Sequence, residues 1–290
     1  MSALFSNIGA PSSSRTPPMP LFRKSKTLAQ MGYRRAVVTG ASSGIGLEIA
    51  KQLAEEGLSI IGISRTPPPS PPQNYTHIQA DLLSPTEVTQ ALTQIEQASP
   101  ELWINNAGHG LLGGAWSPSQ QEIDATFQLM LHIPIRMTRA FAEQCKKKPR
   151  TPACLVQVSS LAVELPIPDM PYYNAAKSGL SAFTESLQLD NNAPFKVIDF
   201  RPGDFNTSFI DTKAVSQSTT NPDYLESLRQ QHRRAPSPKK AAADLIKALK
   251  KENFGVLHSG DFFQSVIAPL GRRFLPRKCL LQLIRHYYNR

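Results

Sequence analysis

The stretch TGASSGIG, Thr39–Gly46, follows an apolar run rich in β-branched residues and leads directly into a helical pattern. Its three glycines let the backbone turn tightly and approach a ligand closely. The free amides at the start of the following helix, together with the positive end of its dipole, suit a pyrophosphate. The stretch therefore predicts a strand–loop–helix unit that binds a dinucleotide. A plain strand-to-helix turn without a ligand is the alternative.

Outward from this loop, short apolar runs alternate with longer amphipathic segments along most of the chain. Such alternation is typical of a parallel sheet covered by helices on both faces. It predicts an α/β fold with a single doubly wound domain and about seven strands. The runs expected to form the strands are Arg35–Gly40, Ser59–Ser64, Thr76–Asp81, Leu102–Gly108, Cys154–Ser160, Lys196–Gly203 and Phe254–Gly260.

Several residues mark where helices begin and end. Gly57 is expected to stop the helix that follows the glycine-rich loop. Ser84 and Ser117, each followed by proline, are expected to cap two further helices. The run TPPPSPPQ, Thr66–Gln73, predicts a stiff loop without a helix.

Composition narrows the function classes. The 290 residues suffice for one large domain with a buried core. The formal net charge is +10, but much of the excess lies near the two ends, so it does not indicate a nucleic-acid-binding protein. Cys145, Cys154 and Cys279 are widely spaced and the six histidines are scattered, so neither a disulfide framework nor a metal site is expected. A reducing compartment, the cytoplasm, fits this pattern.

The two ends differ from the middle of the chain. Residues 1–33 are rich in Ser and Pro and carry only basic charges, which predicts a disordered tail. A mitochondrial transit peptide is the alternative, although its amphipathic helix is disfavoured by the prolines. The chain has no apolar run of about 18 residues, so no membrane-spanning helix is expected.

Four further motifs follow the glycine-rich loop in order. They are NNAG at Asn105–Gly108, SS at Ser159 and Ser160, YNAAK at Tyr173–Lys177 and RPG at Arg201–Gly203. Together with T-G-x-x-x-G-x-G, this set resembles the short-chain dehydrogenase/reductase family over roughly residues 35–260. The resemblance implies a Rossmann-type catalytic domain over residues 34–260 that uses a nicotinamide dinucleotide.

The resemblance also implies a catalytic set. If the segment is helical, as the small residues around them suggest, Tyr173 and Lys177 lie about one turn apart on one face. Carbonyl reduction needs a proton donor beside the carbonyl oxygen, and the family assigns this role to Tyr173. Lys177 is expected to lower the pKa of the phenol and to hold the nicotinamide ribose. Ser160, thirteen residues before Tyr173, is expected to hydrogen-bond the substrate oxygen.

One position departs from the family pattern. The family usually has an asparagine that supports a water-linked proton path from the lysine, and Met130 stands in its place. His132 is a candidate substitute, while an ordinary core or cleft histidine is the alternative. The departure leaves open a non-catalytic NADP(H)-binding regulatory or scaffold protein.

The end of the second strand indicates the choice of cofactor. An acidic residue there would bind both ribose hydroxyls of NAD, whereas Ser64 and Arg65 suit the 2′-phosphate of NADP. NADP(H) is therefore favoured over NAD(H). The cofactor-binding residues assigned by the motifs and the resemblance are Thr39, Gly40, Ser42, Ser43, Gly44, Ile45, Gly46, Ser64, Arg65, Asp81, Leu82, Asn105, Ala107, Gly108, Tyr173, Lys177, Pro202, Gly203 and Thr207.

The substrate is less well indicated. Residues 205–234 correspond to the family's variable substrate lid and show no strong apolar pattern. Hydride transfer to a carbonyl, or from a secondary alcohol, of an apolar small molecule is expected, with a homo-oligomer and no nucleic-acid partner.

The C-terminal extension, residues 261–290, has no acid after Asp261 and is basic and amphipathic. It either lies on an anionic membrane or packs onto the domain or a twin subunit. Cofactor binding is expected not to depend on it, because the nucleotide motifs lie far upstream.

Overall fold

Seven parallel strands form the central sheet, in the order β3-β2-β1-β4-β5-β6-β7. The computed structural model describes residues 26–149, 152–209 and 222–288. The α/β fold and all seven predicted strands are confirmed within these ranges. The strands are β1 (Arg35–Thr39), β2 (Ser59–Ser64), β3 (Tyr75–Gln79), β4 (Leu102–Asn105), β5 (Cys154–Val158), β6 (Lys196–Pro202) and β7 (Gly255–Ser259).

Helices cover both faces of this sheet. Successive strand residues point to opposite faces, so Val37 belongs to one apolar cluster while Ala36 and Val38 belong to the other. The α-helices of the described part are α1 (Gly44–Glu55), α2 (Pro85–Ala98), α3 (Gln120–Phe127), α4 (Ile133–Lys147), α5 (Pro171–Gln188), α6 (Pro222–Arg234), α7 (Pro238–Lys250), α8 (Ala268–Phe274) and α9 (Arg277–Tyr287). Helices α1 and α7 cover the face of Ala36, and α2 and α4 cover the face of Val37.

The helix ends agree with the sequence signals except at α3. Ser84 caps α2, and its hydroxyl accepts the Glu87 amide at 3.4 Å. Helix α3 begins after Ser119 rather than after the predicted cap, Ser117. Ser119 and Glu122 form a reciprocal capping box that satisfies two backbone amides, which the serine–proline pair two residues earlier does not provide. The predicted helix-free loop at 66–73 is confirmed.

The domain begins earlier than residue 34. Leu28 and Tyr33 are buried in the apolar cluster beneath α1, and a 3₁₀ turn spans Ala29–Met31 between them. The Glu56 carboxylate accepts the Leu28 amide at 2.9 Å. Residues 26–33 therefore pack with the domain instead of continuing the predicted tail. The rest of that tail, residues 1–25, lies outside the described residues.

The C-terminal segment folds back onto the domain. A π-helical turn at Phe263–Ile267 continues into α8, and α9 follows. Gln264, Ala268, Leu280 and Ile284 are buried, so the segment is attached through one face. Across the described ranges, no helix combines the length and the apolar character needed to cross a membrane.

Candidate active site

The loop between β1 and α1 forms a cradle of backbone groups. Gly40 has a φ of 68° and Gly44 a φ of 55°, a region that favours glycine. At Gly46, a Cβ atom would lie 2.3 Å from the Gly40 carbonyl oxygen. Ser43 precedes the first turn of α1, whose amides have no partner within the helix. Such a cradle at a helix N-terminus fits a pyrophosphate.

The ends of β1 and β4 meet beside this cradle. The Thr39 hydroxyl accepts the backbone amides of Asn106 at 2.9 Å and Ala107 at 3.0 Å. The Asn106 side chain donates to the Thr39 carbonyl oxygen at 2.9 Å. These bonds hold the two loops at the point where the strand order reverses, which is where open α/β sheets bind ligands.

The structure corrects the expected role of Asn105. Its side chain is buried and donates to Gln157 Oε1 at 3.0 Å, away from the cleft. Asn106, which the sequence analysis did not assign, lines the cleft instead. Thr39 is also buried and supports the loops from behind rather than lining the cleft. Because successive side chains of a strand point to opposite sides, Asn105 and Asn106 cannot both face the cleft. The sequence did not show which of them does, since the last residue of β4 was not evident.

A continuous cleft of about 990 Å³ joins the remaining assigned residues. It runs from the glycine-rich loop to the C-terminal helices. The assigned residues that line it are Gly40, Ser42, Ser43, Gly44, Ile45, Gly46, Ser64, Arg65, Asp81, Leu82, Ala107, Gly108, Ser160, Tyr173, Lys177, Pro202, Gly203 and Thr207.

Ser160, Tyr173 and Lys177 meet in the middle of the cleft. Ser160 follows the end of β5, and the other two residues are on the first two turns of α5. The Ser160 hydroxyl lies beside the Tyr173 phenol and accepts the Ala162 amide at 3.1 Å. The Lys177 ammonium donates to the Val158 carbonyl oxygen at 2.7 Å. All three side chains are nearly fully buried, so their polar groups are held in a restricted, low-dielectric space.

Burial dominates the protonation of this set. It raises the pKa of Tyr173 to about 12, although the neighbouring Ser160 hydroxyl acts in the opposite direction. Burial lowers the pKa of Lys177 to about 8, while the negative charge of Asp199 acts against that shift. The sequence predicted a lowered pKa for Tyr173, but the pKa is raised, because the cost of burying the phenolate outweighs the other influences.

Met130 occupies the position beside the lysine. It is fully buried in a π-helical turn, Gln128–His132, and its sulfur lies against Gly108. A Cβ atom at Gly108 would be 3.3 Å from that sulfur and 3.6 Å from Lys177 Nζ. His132 does not substitute for an amide here, because its ring is exposed and meets Gln128 Oε1 at 3.1 Å.

A different histidine faces the cleft. His109 directly follows the NNAG motif, and its Nε2 lies 3.2 Å from the Thr126 hydroxyl. Burial, with smaller contributions from Lys177 and Arg65, lowers its pKa below the ordinary histidine value. His109 is therefore a neutral imidazole at neutral pH. Its position directly after the NNAG motif was the only feature of the sequence that indicated a place in the cleft.

Behind Ser160, Tyr173 and Lys177 lies a buried charge network. Arg201 Nε donates to Asp199 Oδ2 at 2.8 Å, and its Nη1 donates to Glu164 Oε1 at 2.6 Å. Asp199 is fully buried and also accepts hydrogen bonds from Ser159 and Ser181. Because Ser159 and Ser160 are adjacent, the network fixes the chain that carries Ser160. Sequence reasoning missed it, since its members come from separate elements.

Where the end of β2 borders the cleft, Arg65 is exposed and forms no ion pair with any residue that the structure describes. The neighbouring Ser64 hydroxyl donates to the Thr66 carbonyl oxygen at 2.9 Å and lies 3.1 Å from His77 Nε2. Arg65 thus keeps its donors available for an anion, whereas Ser64 is already engaged. The Asp81 carboxylate accepts the Leu83 amide at 2.9 Å and shapes the next loop.

At the opposite end, the C-terminal segment braces the loop after β6. The Gln264 side-chain oxygen accepts the Asp204 amide at 3.0 Å, and its nitrogen donates to Asp204 Oδ2 at 2.7 Å. A Cβ atom at Gly203 would lie 2.5 Å from that oxygen. The C-terminal segment therefore contacts the loop that carries Gly203, one of the residues assigned to the cofactor.

An apolar wall completes the cleft above Tyr173. Tyr224 and Leu228, one turn apart on α6, are buried with Tyr173 in one apolar cluster. The Phe209 ring packs edge-on to Tyr173, with 5.5 Å between ring centroids. The expected lid thus has an apolar face that its polar sequence concealed. Residues 210–221 of the lid lie outside the described residues.

Comparison with known proteins agrees with this geometry. The family model described as short chain dehydrogenase matches residues 34–217. A 3-ketodihydrosphingosine reductase of Bacteroides thetaiotaomicron is 28% identical over 267 residues, covering 87% of this chain and 97% of the relative. A benzil reductase ((S)-benzoin forming) of Bacillus subtilis is 29% identical over 233 residues, covering 74% and 93%.

A solved structure also matches. A short-chain dehydrogenase from Streptomyces avermitilis superimposes with a TM-score of 0.72 and 26% identity, covering 88% of this chain and 97% of that one. The similarity therefore extends well beyond the residues matched by the family model.

Proposed function

The chain belongs to the short-chain dehydrogenase/reductase family of oxidoreductases, and we propose that it transfers a hydride between NADP(H) and a carbonyl or secondary alcohol of an apolar substrate. The observation that carries this proposal is the meeting of Ser160, Tyr173 and Lys177 in the same cleft as the glycine-rich cradle. The cradle, with its two positive-φ glycines and the helix N-terminus, fits the cofactor's pyrophosphate.

The proposed proton donor is Tyr173. When bound, the nicotinamide supplies or accepts the hydride. With its pKa raised by burial, the Tyr173 phenol carries its proton at neutral pH, which is the form that carbonyl reduction needs. Ser160 lines the cleft beside Tyr173 and is proposed to hold the substrate oxygen next to the phenol.

Lys177 is proposed to offset the charge that proton donation leaves behind. After donation, a phenolate remains in a buried pocket, and the lysine ammonium one helical turn away stabilises it. The hydrogen bond to the Val158 carbonyl oxygen fixes the direction of the Lys177 side chain. The same ammonium is proposed to hold the nicotinamide ribose, as the family resemblance implies.

The preference for NADP(H) rests on Arg65. Its exposed guanidinium lines the adenosine end of the cleft and suits a 2′-phosphate, to which it can donate two parallel hydrogen bonds. The Ser64 hydroxyl contributes less to this proposal, because it already donates to Thr66. No contact among the described residues favours the non-catalytic alternative.

The test compares two neighbouring tyrosines. Tyr173→Phe should reduce turnover of a ketone panel by about a hundredfold or more, because only the proton donor is lost. NADPH affinity, measured by fluorescence titration, should change little. Tyr172→Phe is the matched control, since its exposed hydroxyl only donates to the Ala115 carbonyl oxygen. Near wild-type turnover in Tyr173→Phe would contradict the mechanism.

A further inference from the structure

The exposed apolar side chains of this protein are concentrated in one segment. Of the fourteen large apolar side chains that are exposed in the described part, ten lie after residue 261. Clusters of this kind on a protein surface mark sites of association. We call this set the C-terminal apolar surface; it comprises Phe262, Phe263, Val266, Ile267, Leu270, Phe274, Leu275, Leu281, Leu283 and Tyr287.

Cations accompany these apolar groups. Arg272, Arg273, Arg277, Lys278 and Arg285 are all exposed, and the chain has no acidic residue after Asp261. A two-fold contact between copies of the chain would bring identical basic patches together, which costs electrostatic energy. An anionic phospholipid surface instead offers a counter-charge for the arginines and an apolar interior for the aromatic and aliphatic groups.

The same surface forms the rim of the cleft. Five of its side chains line the cleft while remaining about two-fifths to one-half exposed. Ile284, Leu228 and Tyr173 line the same cleft, and Leu228 shares an apolar cluster with Tyr173. The C-terminal apolar surface and the proposed proton donor therefore border one cleft. The five shared side chains are Phe263, Ile267, Leu275, Leu283 and Tyr287.

We propose that the C-terminal apolar surface docks on an anionic phospholipid bilayer, and that the substrate is an amphipathic lipid ketone or alcohol that enters the cleft from that bilayer. The substrate class rests on the proposed oxidoreductase function, whereas the docking does not. A long acyl chain resides in a membrane rather than in water, so a cleft mouth at the bilayer surface shortens its path to Tyr173.

Docking is tested with full-length protein and two kinds of vesicle, pure phosphatidylcholine and phosphatidylcholine mixed with phosphatidylglycerol. Co-sedimentation should be strong with the anionic vesicles and should weaken as salt is raised. Arg272→Gln with Arg273→Gln should reduce vesicle affinity by about thirtyfold, from the loss of two cations near the surface. Lys146→Gln with Lys148→Gln, at the distant end of α4, removes the same charge and should have little effect.

The contribution of the exposed apolar side chains to docking is tested with a second variant and its own control. Phe262 and Phe274 are 71% and 77% exposed and do not line the cleft, so Phe262→Ser with Phe274→Ser should leave the fold intact. This double variant should weaken vesicle binding by about tenfold or more. Leu189→Ser is the control, because Leu189 is 81% exposed at the far end of α5. Single residues are replaced instead of truncating the segment, because truncation would also remove Gln264, whose side chain holds the loop after β6.

Substrate delivery is measured with two ketones, a short water-soluble one and a long-chain one presented in the anionic vesicles. The Phe262/Phe274 variant should keep its turnover of the soluble ketone and lose most of its turnover of the vesicle-borne one. Absence of vesicle binding by the wild-type protein would overturn the docking. A stable dimer that dissociates in this variant, without vesicle binding in either form, would assign the surface to a second copy. Vesicle binding without NADPH oxidation by either ketone would instead refute the proposed function.

Discussion

Replacement of Lys177 by methionine should raise the free energy of unfolding at neutral pH, even though Lys177 belongs to the proposed catalytic set. The lysine is buried, and burial lowers its pKa from 10.5 to about 8. Methionine has a similar length but no charge, so the variant avoids the cost of enclosing an ammonium group. Activity should be lost, because the group that offsets the phenolate is gone.

The size of the effect follows from proton linkage. The two pKa values, 10.5 unfolded and about 8 folded, correspond to about 3 kcal/mol. Between them the unfolded wild-type chain binds more protons than the folded one, so wild-type stability rises with pH across this window relative to the variant. Below about pH 8 the variant should be more stable by about 2 kcal/mol, since the Val158 carbonyl loses its donor at a cost of about 1 kcal/mol. This advantage should fall to zero near pH 10, and at higher pH the wild type should become the more stable protein by up to about 1 kcal/mol.

The assay is urea unfolding of cofactor-free protein from about pH 7 to about pH 10, with the stability difference between wild type and variant plotted against pH. Lys146→Met gives the response of the same substitution at an exposed position and is subtracted. A difference that stays constant across the window would refute the reasoning, because a buried lysine with a lowered pKa must produce a slope.

Three other predictions follow from the cleft. Arg65→Asp should weaken NADPH affinity by about tenfold or more and reduce discrimination against NADH, because a carboxylate repels the 2′-phosphate; cofactor titrations measure both. Gly46→Ala should impair cofactor binding, because the new Cβ would lie 2.3 Å from a backbone oxygen, whereas Gly114→Ala, which meets nothing within 4 Å, should bind normally. Asp199→Asn should lower the pKa of Lys177 further, because the charge of Asp199 is lost, and the alkaline limb of the pH–rate profile measures this shift. The same change should lower the free energy of unfolding by about 3 kcal/mol, because Arg201 loses an ion-pair partner, and urea unfolding measures this loss.

The fold was largely predictable because its signals are local. Each strand is a short apolar run, and a parallel sheet with helices on both faces is a common way to bury such runs. The start of α3 was predicted two residues early, since a serine–proline pair resembles a cap while the reciprocal bonds of Ser119 and Glu122 decide the actual one. The packing of Leu28 and Tyr33 under α1 was hidden by the polar tail that precedes them.

The site was predictable where spacing alone determines it. Tyr173 and Lys177 are four residues apart on one helix, so any helical reading places them together. The network around Asp199 and Arg201 could not be predicted, because Glu164 and Ser181 reach it from separate elements. The direction of the Tyr173 pKa shift also depends on burial, which a sequence does not specify.

The contacts of Gln264 join the C-terminal apolar surface to the cleft, so the proposed docking and the proposed cofactor binding share one structural link. This residue is anchored in the segment that carries the C-terminal apolar surface, and its side chain holds Asp204 and rests on Gly203. Any factor by which a bound bilayer changes NADPH affinity must be the factor by which NADPH changes affinity for the bilayer. If the two proposed events are coupled through Gln264, the NADPH level of the cell would influence how much of the protein is bound to the membrane, and membrane binding would influence the affinity for NADPH to the same degree.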